Sequence, residues 1–363
     1  MSVGLPKCFS YLQSKGFLSL NSRAVRIKEL DTFGIIIKAN LKRCLNDYNR
    51  LIDKFTVFPV SRVESISNLN NHLLCGKKLD KYAVSFDSSD LVAPISEPNN
   101  ELSLWSSKSC LKNLIIFCDP NKSLNLFYSF QNERYRWWRK LSGCPSHFHQ
   151  SQIGKCATTK EENVSIDFKS PLVDDKTLCL ETIKYITDRD QIKNSIGVES
   201  SSHIIWCKTF PDNATISYLI DGCITDDEGR FKEIWFHESL TPYHVAITIK
   251  PSQDSILNSK LVAIADFLIK ELKEFGITVF PFKNQNNALD DKSFQWFDQI
   301  GIPYSISITE ESLRLGVIGL RNKDTKLEEE VHVTRVKINL LLYLKLMKPF
   351  DIKLAIMESN KAS

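Results

Sequence analysis

The densest group of side chains that could bind a charged ligand lies in residues 132–140, which read NERYRWWRK. Guanidinium and ammonium groups neutralise phosphates, and each such contact makes binding more sensitive to salt. Indole rings can stack on nucleic-acid bases. The candidate nucleic-acid-binding side chains are Arg134, Arg136, Trp137, Trp138, Arg139 and Lys140. The pattern leaves an alternative equally open, in which a tryptophan enters the core and the arginines form its solvated rim.

Motifs for catalysis are absent from the sequence. Neither a GxGxxG loop nor a Walker A loop can be written from its thirteen glycines, and GxSxG and HExxH do not occur. The spacing of one group of metal-ligating residue types fits no common zinc site: Cys144, His147, His149 and Cys156. We therefore expect no metal, no other cofactor and no enzymatic activity.

The composition and length of the chain indicate what class of protein carries these residues. Apolar residues make up 42% and charged residues 25% of the 363 positions, which argues against wholesale disorder. At about 150 residues per domain, the length predicts two domains. No apolar run approaches the roughly 18 residues that span a bilayer. The ten cysteines are scattered without a CxxC pair, which favours free thiols in a reducing compartment.

The first 28 residues are basic and contain no acidic side chain. They contribute +5 to the formal net charge of +4, while residues 241–363 contribute +1 and residues 29–240 contribute −2. Basic, serine-containing and intermittently apolar sequence is typical of a mitochondrial presequence, and the alternative is a basic first helix that belongs to the fold. Because most of the excess charge lies here, any nucleic-acid contact must come from local clusters elsewhere.

Residues 29–240 predict a mixed first domain in which periodic segments alternate with polar, serine-rich ones. A helix is predicted around Leu41–Phe55, and a helix or long strand over Leu124–Trp138. The predicted strands are Leu114–Cys118, His203–Lys208 and Thr215–Ile220. The predicted loops are 85–109 and 142–177.

The pattern is clearer after a domain boundary near Thr241, where strands and helices alternate. The predicted strands are Tyr243–Ile249, Ile277–Phe280, Tyr304–Ile308 and Leu313–Leu320. The predicted helices are Ser255–Phe275, Asp290–Ile300 and Val333–Leu346. The order β-α-β-α-β-β-α predicts a compact α/β sandwich with a mixed sheet.

Three segments of this second domain follow one another in a recognisable order: 241–250 (TPYHVAITIK), 298–304 (DQIGIPY) and 316–325 (GVIGLRNKDT). They resemble the anticodon-binding domain of class IIa aminoacyl-tRNA synthetases. The glycine-rich strand that a true synthetase needs is missing from the chain. The resemblance therefore implies an α/β (α+β) protein in two parts. Residues 29–240 would form a degenerate, catalytically inactive class II synthetase-like core with an antiparallel sheet, and residues 241–363 an anticodon-binding-like α/β domain with a mixed five-stranded sheet.

The combination of such a domain with a basic-aromatic segment and a presequence-like start resembles the accessory subunits of mitochondrial DNA polymerase gamma. The resemblance is strongest over Tyr135–Ser146 and residues 236–344. It implies a non-catalytic processivity factor of the mitochondrial matrix (nucleoid) that binds the catalytic polymerase subunit and primer-template DNA. It also implies that residues 1–28 are a presequence and that residues 132–140 contact DNA.

In that family the anticodon-type domain faces the polymerase subunit, so the resemblance implies a partner surface on residues 313–326 and the last helix. The candidate side chains and glycines are Arg314, Gly316, Gly319, Arg321, Lys323, Asp324, Arg335 and Lys337. Here the glycines would permit close backbone approach. The alternative is that these charges form only a solvated rim.

Vertebrate members of the family dimerise through an inserted helical element, whereas residues 56–110 here are rich in serine and asparagine. We therefore expect a monomer that pairs one-to-one with the polymerase subunit, and no homodimer. Two alternatives stay open: a divergent class IIa synthetase, and a stand-alone tRNA-binding module.

Overall fold

The computed structural model describes residues 4–20, 27–51, 56–60, 81–88, 111–156, 161–173, 177–196, 202–281 and 291–346. They divide into two compact units, residues 1–231 and 232–363. Some predictions fall outside the described residues: Arg23 and Arg26 of the basic start, the loop over 89–109, and the side chain of Cys156. Among the described residues, no helix is long and apolar enough to cross a membrane.

The first unit combines a large sheet with helices. Its helices are α1 (Leu5–Ser14), α2 (Thr32–Leu51), α3 (Pro120–Lys140), α4 (Arg189–Ile196) and α5 (Pro211–Asp221). Its strands are β1 (Leu18–Leu20), β2 (Ile27–Leu30), β3 (Thr56–Pro59), β4 (Lys81–Ser88), β5 (Leu111–Cys118), β6 (Phe148–Gln150), β7 (Gly154–Cys156), β8 (Glu161–Phe168), β9 (Leu178–Ile186), β10 (His203–Thr209) and β11 (Cys223–Thr225). A further strand, β12 (Phe231–Ile234), contains the division between the units.

Eight strands form the large sheet, in the order β3-β4-β5-β10-β9-β8-β6, and β7 also pairs with β8. Among the described strands all of its pairings are antiparallel except that of β3 with β4, which is parallel. The predicted antiparallel sheet is therefore a mixed one. The long connection between Pro59 and Lys81 allows the crossover that a parallel pair requires.

Several elements of the first unit correct the sequence predictions. Residues 85–88 of the predicted loop 85–109 belong to β4, and β6 and β7 lie in the predicted loop 142–177. Residues 215–220, predicted as a strand, belong to α5, where Pro211 occupies the first turn and most residues are buried. A helix buried on nearly all sides has no amphipathic period, so its β-branched residues resemble a strand. Conversely, β8 lies in the predicted loop 142–177, although Val164, Ile166 and Phe168 alternate with more accessible residues as in a half-buried strand.

The basic amino terminus packs into the first unit. The side chains of α1 and the residues after it that are fully buried are Cys8, Phe9, Leu12, Phe17 and Leu18. β1 pairs with β2. The structure therefore favours, for residues 5–20, the alternative that they belong to the fold. Mitochondrial import itself remains a prediction.

The second unit is an α/β arrangement around a smaller sheet. Its strands after β12 are β13 (Val245–Ile249), β14 (Tyr304–Ile308), β15 (Val317–Asn322) and β16 (Glu328–His332). Its helices are α6 (Ser255–Glu274), α7 (Asp291–Gln299), α8 (Glu310–Leu315) and α9 (Val336–Tyr343). The apolar face of α6 contributes Leu261, Ala265, Leu268 and Leu272 to the core over this sheet, as its 3.6-residue period predicts.

The sheet has four described strands in the order β13-β14-β15-β16, rather than the predicted five. Residues 277–280, one of the predicted strands, form only an isolated parallel bridge between Val279 and Val245. β16, at the other edge, is not among the strands that the sequence pattern predicts. Pro281 follows directly and has no N–H to extend the ladder. β14 pairs parallel with β13 and antiparallel with β15, so the sheet is mixed as predicted.

The predicted strand 313–320 is divided between a helix and a strand. α8 begins at a capping box formed by Thr309 and Ser312 and ends at Gly316, which has a left-handed φ of 69°. β15 starts at the next residue. The sequence pattern missed the short helix because one and a half turns show no clear apolar period.

Candidate functional site

The basic-aromatic segment forms the second half of α3. The helix begins where the Asp119 carboxylate accepts a hydrogen bond from the N–H of Asn121 (2.8 Å), with Pro120 in the first turn. Helical spacing places Arg134, Trp137 and Trp138 on the buried face. Arg136 and Lys140 are exposed on the other side.

The buried face of α3 centres on a charge network with Glu181 of β9. The Arg134 side chain is 1% exposed, and its Nε donates to both carboxylate oxygens of Glu181, at 3.1 and 3.0 Å. Trp138 Nε1 also donates to Glu181 (2.6 Å), as does the hydroxyl of Thr209 (3.0 Å). Nη1 of the arginine reaches Oδ1 of buried Asn49 (3.3 Å). Each polar group of this interior cluster therefore has a partner, which buried charges require.

Electrostatics fix the ionic state of this cluster. Burial disfavours the charged guanidinium of Arg134, but the neighbouring acidic groups, with the Glu181 carboxylate foremost, together outweigh burial and hold the arginine pKa above its ordinary value. Cys207, whose thiol contacts the same carboxylate, has its pKa raised by burial and by that negative charge. Arg134 and Glu181 thus form a buried ion pair beside a neutral thiol.

These positions correct the nucleic-acid prediction for three residues. Arg134 and Trp138 are enclosed, and Trp137 packs on Tyr48 with ring centroids 5.3 Å apart. None of the three can reach a phosphate or a base, because Glu181 and the neighbouring rings occupy their polar and aromatic faces. The accessible remainder is Arg136, Lys140 and the half-buried Arg139, whose Nε donates to the carbonyl of Pro145 (3.1 Å). Sequence reasoning missed Glu181, although a single acid within the apolar run Leu178–Ile183 was a signal of an internal cation.

In the second unit, Arg321 and Asp298 join two of the segments on which the sequence resemblance rests. The guanidinium donates through Nη1 and Nη2 to the two carboxylate oxygens, at 3.0 and 2.9 Å. Lys326 Nζ reaches the same carboxylate (2.9 Å) and that of Glu233 (2.7 Å). The hydrogen bonds that Arg321 donates to the Asp298 carboxylate raise the pKa of Arg321 against the effect of its burial. These residues line a pocket of about 270 Å³ together with Phe294, Gln295 and Lys232.

Two of the cations predicted to contact a partner instead bind groups inside the second unit. These are Lys323 and Arg321, and their predicted role is corrected accordingly. Lys323 is 3% exposed, and its ammonium donates to the carbonyl of Ile234 (3.0 Å). The guanidinium of Arg321 donates its hydrogen bonds to the Asp298 carboxylate. The Lys337 side chain is half-buried. Its ammonium pairs with Glu271 (2.9 Å) and lies over the Phe275 ring.

The accessible candidates are Arg314, Asp324 and Arg335. The Arg314 side chain is 72% exposed, with Glu311 at 3.7 Å, and the Asp324 side chain is 61% exposed. Arg335 is exposed in the 3-10 turn before α9. These three form the part of the predicted surface that a partner could contact directly.

The two candidate glycines serve internal packing, which corrects their predicted role in partner approach. At Gly316 a Cβ would lie 2.9 Å from Nε2 of His332, on a backbone with positive φ. At Gly319 a Cβ would overlap the side chains of Glu328 and Ser307, which are hydrogen-bonded to each other (2.7 Å). Their missing side chains make room for residues of the same unit.

The described residues contain no group of three side chains that could hold a metal ion. His147, from the weak metal-like group, instead pairs with Asp221 (2.9 Å). The same carboxylate accepts from the hydroxyl of Ser142 (2.9 Å) and the N–H of Gly143 (2.8 Å). This arrangement stabilises the turn after α3.

Comparison with known proteins agrees with the motifs of the second unit. The anticodon binding domain family matches residues 245–340. DNA polymerase subunit gamma-2, mitochondrial, of Drosophila melanogaster is 28% identical over 242 residues, 62% of this chain and 65% of the relative. Its namesake in Xenopus laevis is 23% identical over 248 residues, 64% of this chain and 52% of the relative. DNA polymerase subunit gamma-2 of Mus musculus is 24% identical over 253 residues, 63% of this chain and 52% of the relative.

The chain is homologous to DNA polymerase subunit gamma-2. The homology extends over about 60% of this chain, so it reaches beyond the anticodon binding domain into the first unit. The match spans between about half and two thirds of the length of these gamma-2 relatives. The sequence resemblance to that family is thereby confirmed.

Proposed function

We propose that this chain is a non-catalytic accessory subunit of a mitochondrial DNA polymerase. It binds the catalytic subunit one-to-one, as a monomer, and helps to hold primer-template DNA, so that synthesis continues without dissociation. A second protein surface slows release of the template, and about 1.4 kcal/mol of added binding free energy lengthens residence tenfold.

The observation that carries the proposal is the homology to gamma-2 subunits in both units of the chain, over 62% and 64% of its length for the two mitochondrial relatives. The internal ion pair between Arg321 and Asp298 joins two of the segments on which the sequence resemblance rests. In this proposal residues 29–240, with their largely antiparallel sheet, are the catalytically inactive synthetase-like core. Residues 241–363 are the anticodon-binding-like domain.

For the DNA contact we propose Arg136, Arg139 and Lys140, which remain accessible at the end of α3. For the polymerase contact we propose Arg314, Asp324 and Arg335. Charges at an interface rim mainly govern the rate and specificity of association. Both surfaces are therefore small clusters of charge.

We propose that the protein acts in the mitochondrial matrix and that import leaves residues 5–20 in place. Removing the whole of residues 1–28 would delete five fully buried side chains of the first unit. Mass spectrometry of the protein isolated from mitochondria tests this, and a mature form that starts beyond residue 20 contradicts it.

The decisive experiment is primer extension by the catalytic subunit with and without this protein at rising salt. We expect longer products per binding event with the protein present, and the difference should grow with salt as the polymerase alone dissociates faster. Product lengths that do not change on its addition overturn the proposal. Light scattering that shows a stable dimer of the isolated protein overturns the one-to-one stoichiometry.

The match to the anticodon binding domain favours a second candidate, a tRNA-binding module. That function predicts tight tRNA binding without stimulation of a polymerase. Filter binding with bulk tRNA, run beside primer extension, separates the two functions. A divergent synthetase would instead give ATP–pyrophosphate exchange with one amino acid.

A further inference from the structure

Two cysteines that are far apart in the sequence meet at the amino-terminal helix. Cys8 lies on α1 and Cys223 begins β11, 215 positions later, yet their sulfur atoms are 3.7 Å apart. Both residues belong to the first unit, and both are free thiols. The sulfurs of a disulfide are about 2.0 Å apart, so these two have to approach each other by less than about 2 Å to form a bond.

The packing of α1 holds the two thiols beside each other. Cys8 shares the buried face of the helix with Phe9 and Leu12, and all three residues are fully buried. On the same helix, the Tyr11 ring stacks on the Phe231 ring, with centroids 5.3 Å apart. Because close-packed side chains keep their positions, the contact between the two sulfurs is a fixed feature of the first unit.

Hydrogen bonds and burial keep this pair protonated. The two thiols are hydrogen-bonded to each other, and the Cys223 thiol also donates to the carbonyl of Leu219 (3.1 Å). The pKa of Cys223 is raised, first by its hydrogen bond with the Cys8 thiol and then by burial. Since the thiolate is the form that reacts, the pair should oxidise slowly near neutral pH and faster as the pH rises.

We propose that Cys8 and Cys223 are a redox-sensitive pair that hydrogen peroxide converts into a disulfide, which fastens α1 to β11. Of the two residues, only Cys223 is partly accessible, so its thiolate attacks the peroxide first. The O–O bond breaks, Cys223 becomes a sulfenic acid, and the other oxygen leaves as water. The Cys8 sulfur then attacks the Cys223 sulfur and displaces the sulfenic oxygen as a second water. Two thiols thus lose two protons and two electrons, and one peroxide takes them up.

The bond closes a covalent loop from residue 8 to residue 223. Such a cross-link lowers the conformational entropy of the unfolded chain, and the effect grows with the length of the loop. It also keeps α1 attached to the first unit when the non-covalent contacts of the helix open. This inference concerns the first unit alone and does not depend on the proposed polymerase and DNA contacts.

Peptide mapping of the full chain under non-reducing conditions tests for the bond. After peroxide treatment and alkylation of the remaining thiols, trypsin should release residues 8–15 joined to residues 209–230, each of which contains one cysteine. Dithiothreitol should separate the two peptides, and their yield at a fixed time should increase between about pH 7 and about pH 9. Cys8→Ser should not give the linked peptides. Cys144→Ser, at another half-buried thiol, is the matched control and should give them as the wild type does.

Thermal unfolding measures what the bond does to the fold. Peroxide should raise the melting temperature of the wild type and of Cys144→Ser by at least about 4 °C, and dithiothreitol should reverse the rise. Cys8→Ser and Cys223→Ser should show no rise, and a rise that persists in either variant overturns the proposed effect. Peptide mapping of the wild type needs no variant that folds. Absence of the linked peptides there overturns the proposal, whether Cys223 stays reduced, is oxidised to a sulfinic acid or joins a second chain.

Discussion

Each unit contains an arginine that lies in a segment predicted to bind a partner and that pairs with a carboxylate from another segment. These ion pairs are Arg134–Glu181 in the first unit and Arg321–Asp298 in the second. The first pair is enclosed, with side chains 1% and 0% exposed. The second lies beside a surface pocket, with side chains 12% and 11% exposed. In both, the partner of the arginine is a carboxylate of the same unit. An arginine in a sequence segment that resembles a binding site is therefore weak grounds for a contact with a partner until the carboxylates near it in the fold are located.

The difference in enclosure should determine how much each pair matters to folding. A buried ion pair gains little over an apolar substitute, yet breaking it leaves an uncompensated charge in the interior. Where water can reach a pair, solvation replaces part of what is lost. Four experiments, in order of decreasing expected effect, test this contrast and the accessibility of the charged side chains.

The largest effect is expected for Glu181→Gln, which leaves the Arg134 guanidinium buried without its carboxylate. The free energy of unfolding should fall by about 3–5 kcal/mol. Urea denaturation measures it, with Glu29→Gln at an exposed position as the control. A loss below about 1 kcal/mol would mean that the pair is not enclosed as described.

Asp298→Asn should have a smaller effect on stability. It removes the charge that Arg321 and Lys326 share, at a site that water can reach, and should cost about 1.5–3 kcal/mol. The same denaturation assay applies, with Asp324→Asn as the exposed control in the same unit. If Asp298→Asn costs more than Glu181→Gln, the contrast between the two pairs is wrong.

Charge reversal at Arg314 and Arg335 should weaken association with the catalytic subunit by several-fold each, about 1 kcal/mol, because both lie on an accessible rim. The melting temperature of the isolated protein should stay within about 1 °C of the wild type, since exposed substitutions are nearly neutral. Surface plasmon resonance measures the association. Reversal at Arg321 should instead lower the melting temperature, which separates the exposed candidates from the internal one.

The smallest effect is expected at the accessible end of α3. Arg136→Ala and Lys140→Ala should each reduce the salt dependence of DNA binding by about one unit of slope, with little change in folding. Fluorescence anisotropy with a primer-template duplex measures the slope, and Lys122→Ala on the same helix is the control. An unchanged slope for both variants would mean that α3 has no contact with DNA.

Much of the fold could be predicted where a single face of an element is buried. α6 and β5 have boundaries close to those that apolar spacing predicts, because one stripe or a continuous apolar run leaves a clear period. α5 could not be predicted as a helix, because it is buried on nearly all sides and its period is lost. The candidate site was predicted as a segment of residues, but not as an arrangement of side chains.

The amino-acid sequence alone indicates that the chain has two parts, that the second resembles an anticodon-binding domain, and that cations and tryptophans cluster in residues 132–140. These are properties of composition, period and motif order, which local sequence carries. Which of those cations are accessible follows from the folded arrangement and not from the sequence pattern. Glu181 lies 47 positions from Arg134 in the chain, and Asp298 lies 23 from Arg321, so nothing local marks them as partners. Burial and pairing depend on contacts between distant segments, and these decide whether a charge serves the fold or the surface.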